Sequence, residues 1–362
     1  MPETTKPTRR AKGDGSIYET ADGRYRAAVT LANGKRKYVS GRNRRDVSAK
    51  MRKLQAQITT TGTVDASTKL RDYLDEWLVR ERVRVRPATW LGREQNVRLY
   101  IVPELGGTTL AKLTPADVER MTAAVITSGK SPRTASHIRA TLSKALQEAV
   151  RDGLVGRNVA QLARPPHVPR KPIEYFDTSQ LRQLLSAAHE TWLGPLVTVA
   201  VTTGMRQGEL FGLSWSDVDL ERRTLTVRRA MAVAHGWGRE LAEPKTGRSA
   251  RTLHLTAQAV AAFRRLPRTG DLVFTDELGR PLTSWRIGPN WRKLVADAGL
   301  PPLPFRSCRH SCATALLTAG VDIAVVAEQL GHSQISTTAS TYAAVVPSLR
   351  RDAADTLERT LG

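Results

Sequence analysis

Cysteine is scarce in this chain: two occur in 362 residues, Cys308 and Cys312, four positions apart in one stretch of helical pattern. That excludes a disulfide framework and fits a reducing compartment, leaving both as small packing residues. Long apolar runs are missing as well, and the opening MPETTKPTRRAKGDG lacks the apolar core of a secretory leader. The expectation is a cytoplasmic chain, neither secreted nor membrane-embedded. Acidic residues are few beside basic ones, 34 Asp and Glu against 56 Lys and Arg, for a formal net charge of +22. A balance so basic points to a polyanion, with nucleic acid first among partners. Hydrophobic residues reach 40%, enough for two or three domains with proper cores.

Pattern divides the chain into parts. Residues 1–14 read as a disordered basic arm. Residues 15–62 hold three strand-like runs, GSIYET, GRYRAAVTL and GKRKYVSG, separated by turn signals and followed by the helical RRDVSAKMRKLQAQI. This reads as a three-stranded sheet backed by one helix. Residues 1–66 carry fifteen Lys/Arg against six Asp/Glu, and a sheet face with Arg24, Arg26, Lys35 and Lys37 could lie in a DNA groove or stand as an ordinary solvated face. After a threonine-rich stretch, residues 67–162 show helical spacing, with Leu70, Tyr73, Leu74 and Trp77 on one stripe and Thr-Pro and Ser-Pro helix starts. The last helix of this part carries Arg133, His137, Arg139 and Lys144, a set that suits phosphate contacts or a solvated face. Residues 163–175, rich in proline and cation, read as a linker. The remainder, 176–362, is mainly helical with strand signals in TLTVRRA, GRELAE and ARTLHL, the last two joined by PKTGRS as a hairpin turn.

Four places in this last part bear on chemistry. Arg206 follows the apolar GPLVTVAVTTGM where a short helix begins. Lys245 lies in the PKTGRS turn. Arg306, Arg309 and His310 crowd the start of a helix whose Ala313, Leu316 and Leu317 face a core, setting fixed cations beside a helix N-terminus that itself favours anions. In LGHSQISTTASTYAAV, Gly331 stops a helix, His332 lies in the turn, Ser333 is placed to cap the next helix, and Tyr342 shares a face with Ile335 and Thr338. From spacing alone, Tyr342 reads as a core tyrosine and His332 as a turn residue.

Taken in order, TTGMRQGELFGLSWSDV, PKTGRSARTLHL and FRSCRHSCATALLTAGVDIAVVAEQLGHSQISTTASTYAAV resemble the successive motifs of the tyrosine recombinases, the phage integrase family. By pattern and position, the helical middle part resembles that family's core-binding domain. The N-terminal sheet resembles the arm-binding domain of lambda-type and conjugative-transposon integrases. The implied fold is multidomain: a small α+β N-terminal domain, an all-α core-binding domain, and a mainly-α catalytic domain with a small antiparallel sheet.

The resemblance also implies roles. Arg206 matches the first family arginine, Glu209 the acidic residue that orients it, Lys245 the hairpin lysine, Arg309 the second arginine, His332 the late histidine and Tyr342 the nucleophile. Phosphodiester cleavage needs a nucleophile, cations around the pentavalent phosphorus and an acid for the departing oxygen, and this set supplies all three without metal or cofactor. Arg306 departs from the family pattern, which places histidine there. An arginine keeps its charge and cannot serve as a base, so removal of the Tyr342 proton is expected to fall to water or to the phosphate itself. The implied partners are double-stranded DNA at core and arm attachment sites, a homotetramer on DNA, and accessory bending or directionality proteins, all at the host nucleoid. A non-cleaving DNA-binding regulator of the same fold and a type IB topoisomerase are the alternatives.

Overall fold

The computed structural model describes residues 17–20, 22–30, 36–61, 68–169, 171–234, 238–242, 250–342 and 358–361. They fall into two compact units, Met1–Pro169 and Arg170–Gly362.

In the first unit, alternating apolar and polar residues form β1 (Ile17–Glu19), β2 (Tyr25–Thr30) and β3 (Arg36–Gly41), an antiparallel sheet in that order. The β1–β2 turn closes through Gly23, whose φ of +73° suits a residue without Cβ. Helix α1 (Arg44–Thr61) packs on the sheet, and Ala27, Val29 and Val47 are buried there. The helical part comprises α2 (Leu70–Arg84), α3 (Pro87–Asn96), a π turn at Val97–Ile101, α4 (Val102–Leu105), α5 (Pro115–Thr127), α6 (Pro132–Arg151) and α7 (Val159–Leu162). The Leu70, Tyr73, Leu74, Trp77 stripe is buried as its spacing predicts. The Tyr73 hydroxyl donates to the Ala145 carbonyl at 2.7 Å, fixing α2 against α6. Thr114 and Ser131 cap α5 and α6, each accepting an N–H that the first helical turn leaves unpaired. Ala163, where the linker reading begins, is buried in this core.

The second unit is built from α8 (Thr178–His189), α9 (Gly194–Thr203), α10 (Gln207–Phe211), α11 (Ala257–Arg264), α12 (Ser284–Asp297), α13 (Ser307–Thr318), α14 (Ile323–Leu330) and α15 (Ile335–Thr341) around two small sheets. Strands β4 (Val218–Asp219), β5 (Thr224–Val227) and β8 (Arg251–His254) form one; β6 (Ala230–Ala234) and β7 (Gly238–Ala242) form the other. The strand reading needs correction. TLTVRRA is not one strand but breaks after Val227, and GRELAE pairs with the strand before it while ARTLHL pairs back to β5. Helix α9 is apolar almost all round and runs through the main core. It stops at Gly204, whose left-handed φ of +66° turns the chain so that Arg206 becomes the N-cap of α10. Gly331 ends α14 in the same way. Cys308 and Cys312 are free and buried in α13, packing residues as expected. No helix among the described residues is long and apolar enough to cross a membrane.

Candidate active site

The last carbonyls of α14 are the seat of the site. A helix C-terminus leaves carbonyl oxygens without intrahelical partners and carries partial negative charge. Here three arginines, far apart in sequence, converge on them. Arg251 donates from Nε to Gln329 O at 2.6 Å, Arg309 from Nη2 to Leu330 O at 2.7 Å, and Arg206 from Nη2 to Gly331 O at 3.1 Å. Arg309 also donates from Nη1 to Gly204 O at 2.8 Å, tying α13 to the end of α9. Glycine suits position 331, whose φ of +66° is left-handed and where a Cβ would stand 2.7 Å from Arg251 Nη1.

One buried carboxylate serves two of these cations. Glu209 accepts from Arg206 Nη1 at 2.8 Å and from Arg251 Nη2 at 2.9 Å, and also takes the Arg206 backbone N–H. Burial pushes its pKa up, yet the Arg251 and Arg206 contacts outweigh that and hold it below the usual carboxylate value. Burial, then the charge of Arg206, lowers Arg309 to about 10, which still leaves it protonated at neutral pH. Three guanidiniums against one carboxylate leave the cluster with surplus positive charge, and planar forks of this kind match phosphate oxygens.

His332 and Tyr342 lie beside this cluster. His332 Nδ1 is 2.7 Å from Thr338 Oγ1, and burial, followed by the charges of Arg309, Arg206 and Arg251, lowers the imidazole to about 4. A neutral ring whose Nδ1 accepts the Thr338 hydroxyl keeps Nε2–H free to donate to an anion. Tyr342 is 2% exposed and packs among Ala313, Leu317, Val326 and Leu330. Its backbone N–H donates to Thr338 O at 2.9 Å, and its Oη stands 3.1 Å from His310 Nδ1. Burial pushes the phenol up to about 12, with Arg309 opposing. A phenolic oxygen, a buried cationic cluster and a neutral imidazole are the kinds of group that phosphoryl transfer through a covalent intermediate uses.

Residues 174–348 match the family model for the phage integrase family, and residues 69–122 match the phage integrase N-terminal SAM-like domain. A tyrosine recombinase XerC-like protein of Caldanaerobacter subterraneus subsp. tengcongensis is 30% identical, over 92% of this chain and 95% of that protein. The chain belongs to the phage integrase family of tyrosine recombinases. An integrase of Saccharopolyspora erythraea is 24% identical over 97% of this recombinase and 98% of its own length. Among solved structures, the Tn1549 transposon integrase in complex with transposon right end DNA superposes with a TM-score of 0.67, at 22% identity over 76% of this chain and 95% of that one. The lambda integrase tetramer bound to a Holliday junction gives a TM-score of 0.60, at 20% identity over 88% and 95%. The family likeness extends across the multidomain fold, and it leaves the non-cleaving regulator unsupported.

Of the residues that the recombinase motifs single out, Arg206, Glu209, Arg309, His332 and Tyr342 come together as described. Arg306 is exposed at the N-terminal end of α13, close enough that its charge helps lower His310. Lys245 and Lys35 lie outside the described residues, and Lys37 is described only by its register opposite Val29. One expectation around the tyrosine is corrected. Gln334, not Ser333, is the N-cap of α15; on the face that Ile335, Thr338 and Tyr342 share in the sequence, Thr338 and Tyr342 are buried and Ile335 is half exposed.

In the first unit, Arg133, His137 and Lys144 line a groove of about 990 Å³ with Thr89, Gly92 and Arg93 of α3. Arg139 is not among its lining residues; Nη1 donates to Ala160 O at 2.6 Å, a structural tie to α7. On the sheet, the Arg26 guanidinium sits 4.5 Å from the Tyr38 ring centre and Tyr18 pairs in register with Arg26, an exposed face of cation and aromatics. Arg24 stands beside Asp22 at 3.8 Å.

Two residues of the site escape the sequence reading as site residues, Arg251 and Thr338, while His310 stands there beside Arg306 and Arg309 without a role of its own. Arg251 gave one signal, since alternation places it with Leu253 on the buried face of β8, where a lone arginine needs a partner.

Proposed function

We propose that this site-specific recombinase cleaves and rejoins DNA through a 3′-phosphotyrosyl link to Tyr342, integrating or excising a phage or mobile element. The observation that carries this reading is the convergence of Arg206, Arg251 and Arg309 on the end of α14, with Tyr342 packed against the same helix. In the proposed roles, Arg206 and Arg309 hold the non-bridging oxygens, Glu209 orients Arg206, His332 donates from Nε2, Arg306 adds a cation at the rim, and Lys245 protonates the leaving 5′-oxygen. Because the phosphotyrosyl bond conserves the energy of the phosphodiester, a second strand's 5′-hydroxyl reverses the step.

Residues 15–62 are assigned to arm-site DNA, 67–162 to the core site, 163–175 to a linker and 176–362 to catalysis. The exposed Arg26–Tyr38 face and the Arg133–His137–Lys144 groove support the first two assignments, and Arg24, Lys35 and Lys37 are placed with the former. We further assign the working form as a homotetramer on two duplexes at the host nucleoid, with accessory bending or directionality proteins.

The test uses a core site selected from a random duplex library by binding. Tyr342→Phe should bind it normally and form no covalent adduct. Lys245→Ala should cleave poorly and recover when sulfur replaces the 5′-bridging oxygen, because a thiolate leaves without an acid. An adduct formed by Tyr342→Phe would refute the nucleophile assignment.

A further inference from the structure

The motif position that usually carries a histidine holds Arg306, which cannot accept a proton. A histidine nonetheless touches the reacting oxygen. His310, one residue beyond Arg309 on α13, has Nδ1 3.1 Å from Tyr342 Oη, with the two ring centres 6.0 Å apart. Among the described residues, this is the hydrogen bond that the imidazole side chain makes. Resting on the assignment of Tyr342 as nucleophile, we propose that His310 is the catalytic base that takes the Tyr342 proton. This replaces the expectation that the proton passes to water or to the phosphate.

The step balances. The Tyr342 O–H bond breaks, its proton passes to His310 Nδ1, and the oxygen's electron pair forms the new bond to phosphorus. The bond from phosphorus to the 5′-oxygen breaks, and that oxygen takes a proton from Lys245, the acid already assigned. On rejoining, His310 returns its proton to the tyrosine.

Several features suit His310 to the role. It is half-buried, so part of the residue is open to solvent while Nδ1 contacts the tyrosine oxygen. The groups facing it are cations or neutral: Arg306 and Arg309 on its own helix, His332 from the turn after α14, and Tyr342 after α15. Burial, then Arg309 and Arg306, lowers the imidazole below 6.5, so the ring is in its accepting form at neutral pH. Arg309 also favours the phenolate, opposing the burial that pushes Tyr342 up. The arginine at 306 thus acts on the base instead of being one.

A base role and a merely structural hydrogen bond predict different behaviour. His310→Asn keeps a polar atom near the Nδ1 position without its basicity, and His310→Ala opens room for a small base. Single-turnover adduct formation on a nicked core duplex would be followed from about pH 5 to 9 with wild type, both variants and Tyr342→Phe. The wild-type rate should rise to a plateau with its midpoint below 6.5, the ordinary imidazole value. His310→Asn should bind DNA normally, react about 100-fold more slowly at neutral pH, the lower end for loss of a general base, and show no plateau. Added imidazole should restore part of the His310→Ala rate in proportion to its neutral fraction. Wild-type rate and profile in His310→Asn would overturn the proposal and leave the nucleophile assignment standing. An adduct in Tyr342→Phe, or none in wild type, would instead sink that assignment, and the base with it.

Discussion

Arg251 Nη2 lies 2.9 Å from Glu209 Oε2, and both side chains are almost fully buried. This pair joins the start of β8 to the first turn of α10 and leaves the other carboxylate oxygen to Arg206 at 2.8 Å. Arg251→Met would leave the buried Glu209 carboxylate with Arg206 as its remaining cation, a loss that costs up to about 3–5 kcal/mol, the scale for breaking a buried pair. Urea unfolding should show a loss of that order, largely recovered in Arg251→Met combined with Glu209→Leu. Equal stability of wild type and Arg251→Met would show that the pair contributes nothing to the fold.

Thr338 is fully buried and tied to both His332 and Tyr342. Thr338→Val removes only the hydroxyl that contacts His332 Nδ1. With a neutral hydrogen bond contributing about 0.5–1.5 kcal/mol, adduct formation should slow roughly two- to twelvefold while core-site affinity holds. Full single-turnover activity would mean that His332 is oriented by something else.

His332 titrates near 4 in the fold, whereas an unfolded histidine titrates near ~6.5. Between those values the unfolded chain binds a proton that the folded chain does not. Unfolding therefore gains as pH falls, and the stability contributed by neutral His332 is complete above the window and lost through it. His332→Gln removes this dependence. The stability of wild type relative to His332→Gln should stay constant above about pH 7 and decline steadily toward pH 4. A difference independent of pH would contradict the depressed value.

Arg306 is exposed, so Arg306→Ala should leave the melting temperature unchanged. In the role proposed for it, the effect falls on the transition state, where loss of one cationic donor typically costs about 2–4 kcal/mol. Arg306→His should retain much of the rate and add a new titration near ~6.5. A wild-type rate in Arg306→Ala would place the residue outside the reaction.

Helix positions were legible wherever period and caps agreed, as in the Leu70–Trp77 stripe and the Thr114 and Ser131 caps. Strand pairing around PKTGRS was not, because short alternating runs fit more than one partner, and the choice depends on β5 reaching past a hairpin to β8. Arg206, Glu209, Arg309, His332 and Tyr342 were recognisable as an ordered set. Taken singly, each spacing suited an ordinary surface or core residue. Arg251 and Thr338 act through contacts across 42 residues to Glu209 and six to His332, which no local pattern encodes. His310 was visible beside Arg309, but only the packing of both α13 and α15 on α14 brings it to the tyrosine oxygen.

The central claim is that Tyr342 becomes joined to DNA. The most direct measurement is to trap the covalent complex on a nicked core duplex, digest the protein and identify the DNA-linked peptide by mass spectrometry. The account predicts a single modified peptide, carrying a 3′-phosphonucleotide on Tyr342. A link to any other residue, or cleavage with no protein–DNA link at all, would contradict it.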